Sequence, residues 1–158
     1  MAELMFSQSI VIPGSPESGY DLISDVTRMG SWSPTCTACW WDEGQGPQPG
    51  SWFTGRNEVP GRTWETRSLV TVADRGREFT FVVGGSLVSW SYTLVSVPEG
   101  TMLTESWEFL PEGIAFFHKR FGDDAENQIA IRTAEAHAGI PVTLAAVRRT
   151  AQELLDER

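Results

Sequence analysis

Along most of this chain apolar and polar residues alternate, and where they stop alternating they recur at helical spacing. Leu4, Phe6, Ile10 and Ile12 share one parity, which predicts a strand over 4–12 that stops at Pro13-Gly14. Ser15-Pro16-Glu17 reads as a helix start: Ser caps, Pro takes the first helical position, and an acid faces the positive end. Tyr20, Ile23 and Val26 give that helix a short apolar face, and Gly30 and Pro34 bracket a second, shorter helical turn around Met29 and Trp32. From Cys39 to Phe109 the pattern predicts six strands: one ending at Trp40-Trp41, then 51–59, 62–72, 78–83, 88–97 and 101–109. Turns at 44–50, Pro60-Gly61, Asp74-Arg75-Gly76, Gly84-Gly85 and Pro98-Glu99-Gly100 separate them. Such short connections allow antiparallel hairpins and leave no room for crossover helices. Residues 111–122 read as a loop carrying Ile114, Phe116 and Phe117. Asp123 with Glu126 resembles a capping box, and Ile129, Thr133, Ala136, Ile140, Leu144, Val147, Ala151 and Leu154 form one helical stripe. The stripe keeps its phase across Gly139 and Pro141, so a single long helix with a kink is expected.

This element order implies an α+β fold in one domain spanning 1–158. A seven-stranded antiparallel sheet can cover its apolar face only by curving around the long C-terminal helix, with two short helices following the first strand. A curved sheet gripping one helix leaves a space, and strand parity says what lines it. Leu103, Glu105, Trp107 and Phe109 share the inward parity, as do Val88, Trp90, Tyr92 and Leu94 in the strand before. Phe79, Phe81 and Val83 form another row; Trp64, Thr66, Ser68, Val70 and Val72 the next; Phe53, Gly55 and Asn57 the last. The opposite parity is richer in Ser, Thr and charge and should face water.

Composition sharpens the picture at one point. The chain holds seven Trp and eight Phe but only two Tyr, and rings of that size belong largely inside. Its net charge of −9 repels phosphate backbones and anionic lipid surfaces, so no nucleic-acid partner is expected. No apolar run approaches bilayer-spanning length, and Met1-Ala2-Glu3-Leu4 lacks the basic start of a signal peptide. Two cysteines do not make a secreted disulfide framework, which points to the cytoplasm.

Several stretches resemble one family. Ile10-Val11-Ile12-Pro13 with Pro16-Glu17, the run Asp25-Val26-Thr27-Arg28-Met29-Gly30-Ser31-Trp32-Ser33-Pro34, and Gly50-Ser51-Trp52-Phe53-Thr54-Gly55-Arg56-Asn57 are similar to the START-related superfamily of polyketide cyclase/dehydrase and lipid-transport proteins. Trp64, Gly100-Thr101 and Thr104-Glu105-Ser106-Trp107 belong to the same pattern, in particular its small actinobacterial-type branch. The resemblance spans essentially the whole chain. It implies a helix-grip fold with a hydrophobic cavity for lipids, sterols, polyketides or hormones; some members cyclise or dehydrate polyketides and many only bind and carry. These motifs mark turns and sheet packing, so they transfer no catalytic residue.

The expected binding surface is therefore Phe53, Asn57, Trp64, Phe81, Trp90, Tyr92, Glu105, Trp107 and Phe117, with Asn57 and Glu105 as polar anchors. A buried carboxylate is costly unless paired or protonated, so Glu105 is either salt-bridged, at a rim, or special. If the cavity is catalytic, Glu105 and His118 are the acid–base candidates, with Tyr92 as a hydrogen-bond donor. Cys36-Thr37-Ala38-Cys39 has metal or redox spacing, but only His118 and His137 could complete a zinc set, and a redox pair should open a helix. Reduced thiols, no metal and no cofactor are expected. Ile114, Phe116 and Phe117 between Gly113 and Gly122 suggest either a gate over the entrance or a permanent plug. Three functions stay open: a monomeric or homodimeric binder of a small apolar molecule, an aromatase/cyclase or dehydratase using the same cavity, or an interaction module whose cavity is collapsed.

Overall fold

The computed structural model describes residues 4–44 and 46–157. Residues 1–3, on which the absence of a signal peptide was read, lie outside the described residues, as does Gln45 in the first long turn.

The expected order of elements is present. Strand β1 (Met5–Ile12) leads to helix α1 (Pro16–Ile23), whose cap is the expected one: Ser15 Oγ accepts from the Ser18 amide at 3.1 Å. A 3-10 helix over Val26–Ser31 follows, opened by Asp25, whose Oδ1 accepts from the Thr27 amide. Six further strands form a meander: β2 (Cys36–Trp41), β3 (Trp52–Val59), β4 (Arg62–Asp74), β5 (Glu78–Val83), β6 (Val88–Val97) and β7 (Gly100–Phe109). The sheet order is β1-β7-β6-β5-β4-β3-β2, antiparallel at every pairing, so only β1 joins out of sequence. The last helix, α3 (Ala125–Asp156), runs through Pro141 without a break.

Three expectations are corrected. First, β2 begins at Cys36, three residues before the expected Cys39, and an irregularity between Cys36 and Ala38 lets it pair with β3. Second, Val72 is not on the inner row. Val70 pairs with Phe81, but Val72 pairs with Thr80 and Ala73 with Phe79, so an extra residue at Thr71 reverses the parity of the strand's end. Third, residues 111–121 are a helix, α2 (Pro111–Phe121), and not a loop. Pro111 sits at its first position, where a missing N–H costs nothing, and Gly122 ends it with φ +56°. Gly113 is consequently no hinge: a Cβ there would collide with the Leu87 carbonyl, so glycine allows α2 to lie against the start of β6.

Cross-strand register aligns the inward rows. Phe6, Trp107, Trp90, Phe81 and Val70 form one rung, and Glu105, Tyr92, Phe79 and Ala73 a second. The outer face carries hydroxyl pairs instead, such as Thr80 with Ser91 and Ser9 with Thr104, each 2.7 Å apart. α3 packs mainly against β1, β7, α1 and α2, so the grip closes over one flank of the sheet. There Ile12, Leu103, Ile140, Leu144 and Val147 make a core with almost no exposure.

Candidate functional site

Over the other flank, from β2 across to the second half of β7, the sheet and α3 stand apart and enclose a cavity of about 790 Å3. That lies within the range of roughly 300–1,000 Å3 seen for small-molecule sites. α3 turns Ala136, Gly139 and Thr143 toward it, and such small side chains cannot reach the sheet. The 3-10 helix and its exit add Met29, Trp32 and Pro34, and α2 adds Phe116, Phe117 and Phe121.

All nine residues expected on the binding surface line this cavity: Phe53, Asn57, Trp64, Phe81, Trp90, Tyr92, Glu105, Trp107 and Phe117. Their rings make a continuous apolar wall, with Phe53 edge-on to Phe81 at 4.9 Å and Trp107 edge-on to Phe109 at 6.0 Å. His118 does not belong with them. It lies on the exposed side of α2, one residue past the buried Phe117, and is no part of the lining.

Glu105 is the chemically unusual member. It is only 2% exposed, and no arginine pairs with it among the described residues. Tyr92 stands directly opposite on β6, and its hydroxyl donates to Glu105 Oε2 at 2.9 Å. The other oxygen, Oε1, is buried without a protein partner. Burial outweighs the Tyr92 hydrogen bond and pushes the carboxyl up to about 8, so near neutral pH it is chiefly the neutral acid, a donor as well as an acceptor. Tyr92 is raised well above its ordinary value, by burial first and then by Glu105, and stays a phenol. Asn57, half-buried, reaches Thr66 Oγ1 from its amide nitrogen at 3.4 Å.

Sequence reasoning missed the charged cluster at the opposite end. The Arg62 Nη2 atom holds both oxygens of Glu135, at 3.0 and 2.8 Å, while its guanidinium lies 4.2 Å from the Trp64 ring centre. Arg132 lies 5.0 Å from Trp64 and 5.4 Å from Phe117. Several wall residues, among them Phe116, Arg120, Glu65 and Gly84, are exposed, so the cavity reaches solvent. Two signals were available: Arg62 shares the inward parity of Trp64, and Arg132 sits four residues before Ala136 on the cavity stripe of α3.

Cys36 and Cys39 are free, buried thiols in the wall beneath the 3-10 helix. Gly55 lies opposite Cys39, and a Cβ on it would stand 3.6 and 3.7 Å from the two sulfurs, an ordinary contact distance. Hydrogen bonding to Cys36, with burial behind it, raises Cys39, which makes it a poor thiolate. Among the described residues no group of three or more His, Cys, Asp or Glu could hold a metal ion. No described helix is long and apolar enough to cross a membrane.

A seven-stranded antiparallel sheet curled around one long helix, with an apolar cavity between them, defines the helix-grip class. Residues 4–136 match the family model described as polyketide cyclase / dehydrase and lipid transport, and the chain belongs to that family. It is similar to the Polyketide_cyc-like protein Cgl2372 from Corynebacterium glutamicum, at 48% identity over 98% of this chain and 95% of that one, with a TM-score of 0.70. The di-domain ARO/CYC StfQ from the steffimycin biosynthetic pathway shares the fold at 14% identity, with a TM-score of 0.69. That alignment covers 97% of this chain and 52% of StfQ, so this chain spans about half of it. A START superfamily protein from Mycobacterium smegmatis aligns at 16% identity over 95% of this chain and 98% of that one, with a TM-score of 0.60. Among curated proteins no sequence gives a match.

Proposed function

We propose that this protein binds one small, ring-bearing hydrophobic molecule in the cavity between its sheet and α3. The observation that carries the reading is the cavity itself, about 790 Å3 of space walled by Trp64, Phe81, Trp90 and Trp107. Apolar wall supplies the affinity, since each buried square ångström of apolar surface is worth about 25 cal/mol. The free Oε1 of Glu105 supplies a single directional contact deep inside. Native mass spectrometry of protein purified from its own host, alongside titration with the neutral dye phenylnaphthylamine, tests this. A stoichiometric adduct or one saturable dye site is the expected result. No adduct together with no dye binding overturns the reading.

A second reading is favoured by one observation, the carboxyl of Glu105 poised near 8 in an apolar cavity. A group of that pKa can take a proton from the carbon beside one carbonyl and give it either to the oxygen of a second carbonyl that this carbon attacks, an aldol-type ring closure, or to a hydroxyl that leaves as water, a dehydration. The likeness to an ARO/CYC protein supports it. Turnover of a poly-β-keto thioester that disappears in Glu105→Gln, with phenylnaphthylamine binding retained, is the expected result. Unchanged turnover in that variant removes Glu105 from the chemistry.

A further inference from the structure

Building on the binding function proposed above, we propose that the ligand is a carboxylic acid, whose apolar ring system fills the cavity and whose carboxylate sits on Arg132 at the mouth. Arg132 is half-buried on α3, yet no Asp or Glu lies within ion-pair distance of it among the described residues. Its one cationic neighbour in the cluster, Arg62, already holds Glu135 with two hydrogen bonds. The acid that could have neutralised Arg132 is thus engaged, and the pair of arginines carries one charge more than its partner.

Stacking between Trp64 and Phe117 accounts for where the Arg132 guanidinium carbon lies. It does not account for Nε, a donor buried without a hydrogen-bond partner. Burial, then the proximity of Arg62, lowers the pKa of Arg132, but a guanidinium stays charged near neutral pH, so this cation is held where its charge is costly. A planar carboxylate meets that geometry, because the guanidinium offers a fork of donors and the aromatic faces fix its plane.

The rest of the cavity is consistent with one acid and no more. Glu105 faces the far end chiefly as a neutral acid, so it offers a hydrogen bond and little repulsion. Glu65, the remaining carboxylate of the wall, is exposed at the rim. The chain's overall charge of −9 opposes an incoming anion, but charges beyond about 8 Å are screened at physiological salt, whereas a contact inside the mouth is screened far less.

The test uses naphthoic acid and its neutral amide, which share a ring system, as competitors of bound phenylnaphthylamine. The acid is expected to displace the dye at about tenfold lower concentration, the ratio given by about 1.4 kcal/mol. Arg132→Gln should bring the two within about threefold of each other, whereas Arg75→Gln, which removes a cation outside the cavity, leaves the preference intact. An amide that competes as well as the acid in the unmodified protein overturns the inference whether or not the variant folds, and so does a preference that survives Arg132→Gln. Saturable dye binding with either of these outcomes leaves the broader binding function standing; absence of dye binding removes both.

Discussion

The two flanks of α3 are built from one helix and one sheet, yet one is solid and the other hollow. On the solid flank Ile140, Leu144 and Val147 join Ile12, Val26 and Leu103 in a core with almost no exposure. On the hollow flank the same helix offers Arg132, Ala136, Gly139 and Thr143 to a wall of tryptophans. The sheet is not poorer in large side chains there. What differs is the helix, whose reach on that stripe is too short to fill the gap. A binding cavity in this fold is therefore a matter of side-chain volume on one helical stripe, and the packed flank supplies the stability that the open flank lacks.

That contrast can be broken from either side. Truncating the solid flank with Ile140→Ala should cost about 2–5 kcal/mol in denaturant unfolding, the usual range for a core deletion. A loss below about 1 kcal/mol would mean that this flank also collapses easily and the contrast is false. Next in size is Glu105→Gln. The native carboxyl titrates near 8 against 4.5 for an ordinary glutamic acid, so the folded state binds the proton more tightly. Native stability is accordingly fullest below about 4.5 and falls as pH rises toward 8, by an amount of order 5 kcal/mol at most. Glu105→Gln should remove that slope, leaving the variant more stable than the parent above neutral pH and nearly equal to it at pH 4–5. Parallel curves of Tm against pH for the two proteins would show that Glu105 is not held neutral.

Filling the hollow flank gives a smaller stability effect with a large effect on binding. In Ala136→Leu the added carbons enter the cavity, so unfolding free energy should stay within about 1 kcal/mol while phenylnaphthylamine binding weakens at least tenfold. Strong destabilisation would show that the cavity is already full. The smallest signal concerns α2. Its inner residues Phe117 and Phe121 line the cavity and Phe116 is 44% exposed, so amide exchange over 111–121 should slow when the dye binds if the helix opens to admit it. Protection already high and unchanged by dye would make α2 a fixed plug and place the entrance elsewhere.

The solid flank and the strand order were legible because they rest on period and turn chemistry. Gly61, Gly76, Gly84 and Gly85 all take positive φ at the hairpin turns where the pattern places them. The bulge at Thr71 left no compositional trace, so parity counted from Trp64 carried Val72 to the wrong face. α2 was hidden because Pro111 and Gly113 read as breakers, though one opens the helix and the other makes room for the Leu87 carbonyl. The aromatic wall was readable from inward parity. The arginines left only a weak trace, Arg62 in the parity of Trp64 and Arg132 in the stripe of Ala136, because spacing alone does not separate a half-buried cation from a solvated one. His118 shows the converse, a residue whose chemistry invited a role that its position on α2 does not allow.

The placement of β1 has a kinetic consequence. Among themselves, strands β2 to β7 pair only with sequence neighbours, through hairpins that close quickly. β1 instead pairs with β7 across almost the whole meander, as in Ser9 beside Thr104, and α3 then packs on β1. Both contacts join distant parts of the chain and carry the larger loop-closure cost, so they are expected to form late in assembly. Before they dock, the six-strand meander presents Trp64, Trp90 and Trp107 on an uncovered face, and nothing yet encloses a ligand. On that order the cavity is expected to form only when the two ends of the chain meet.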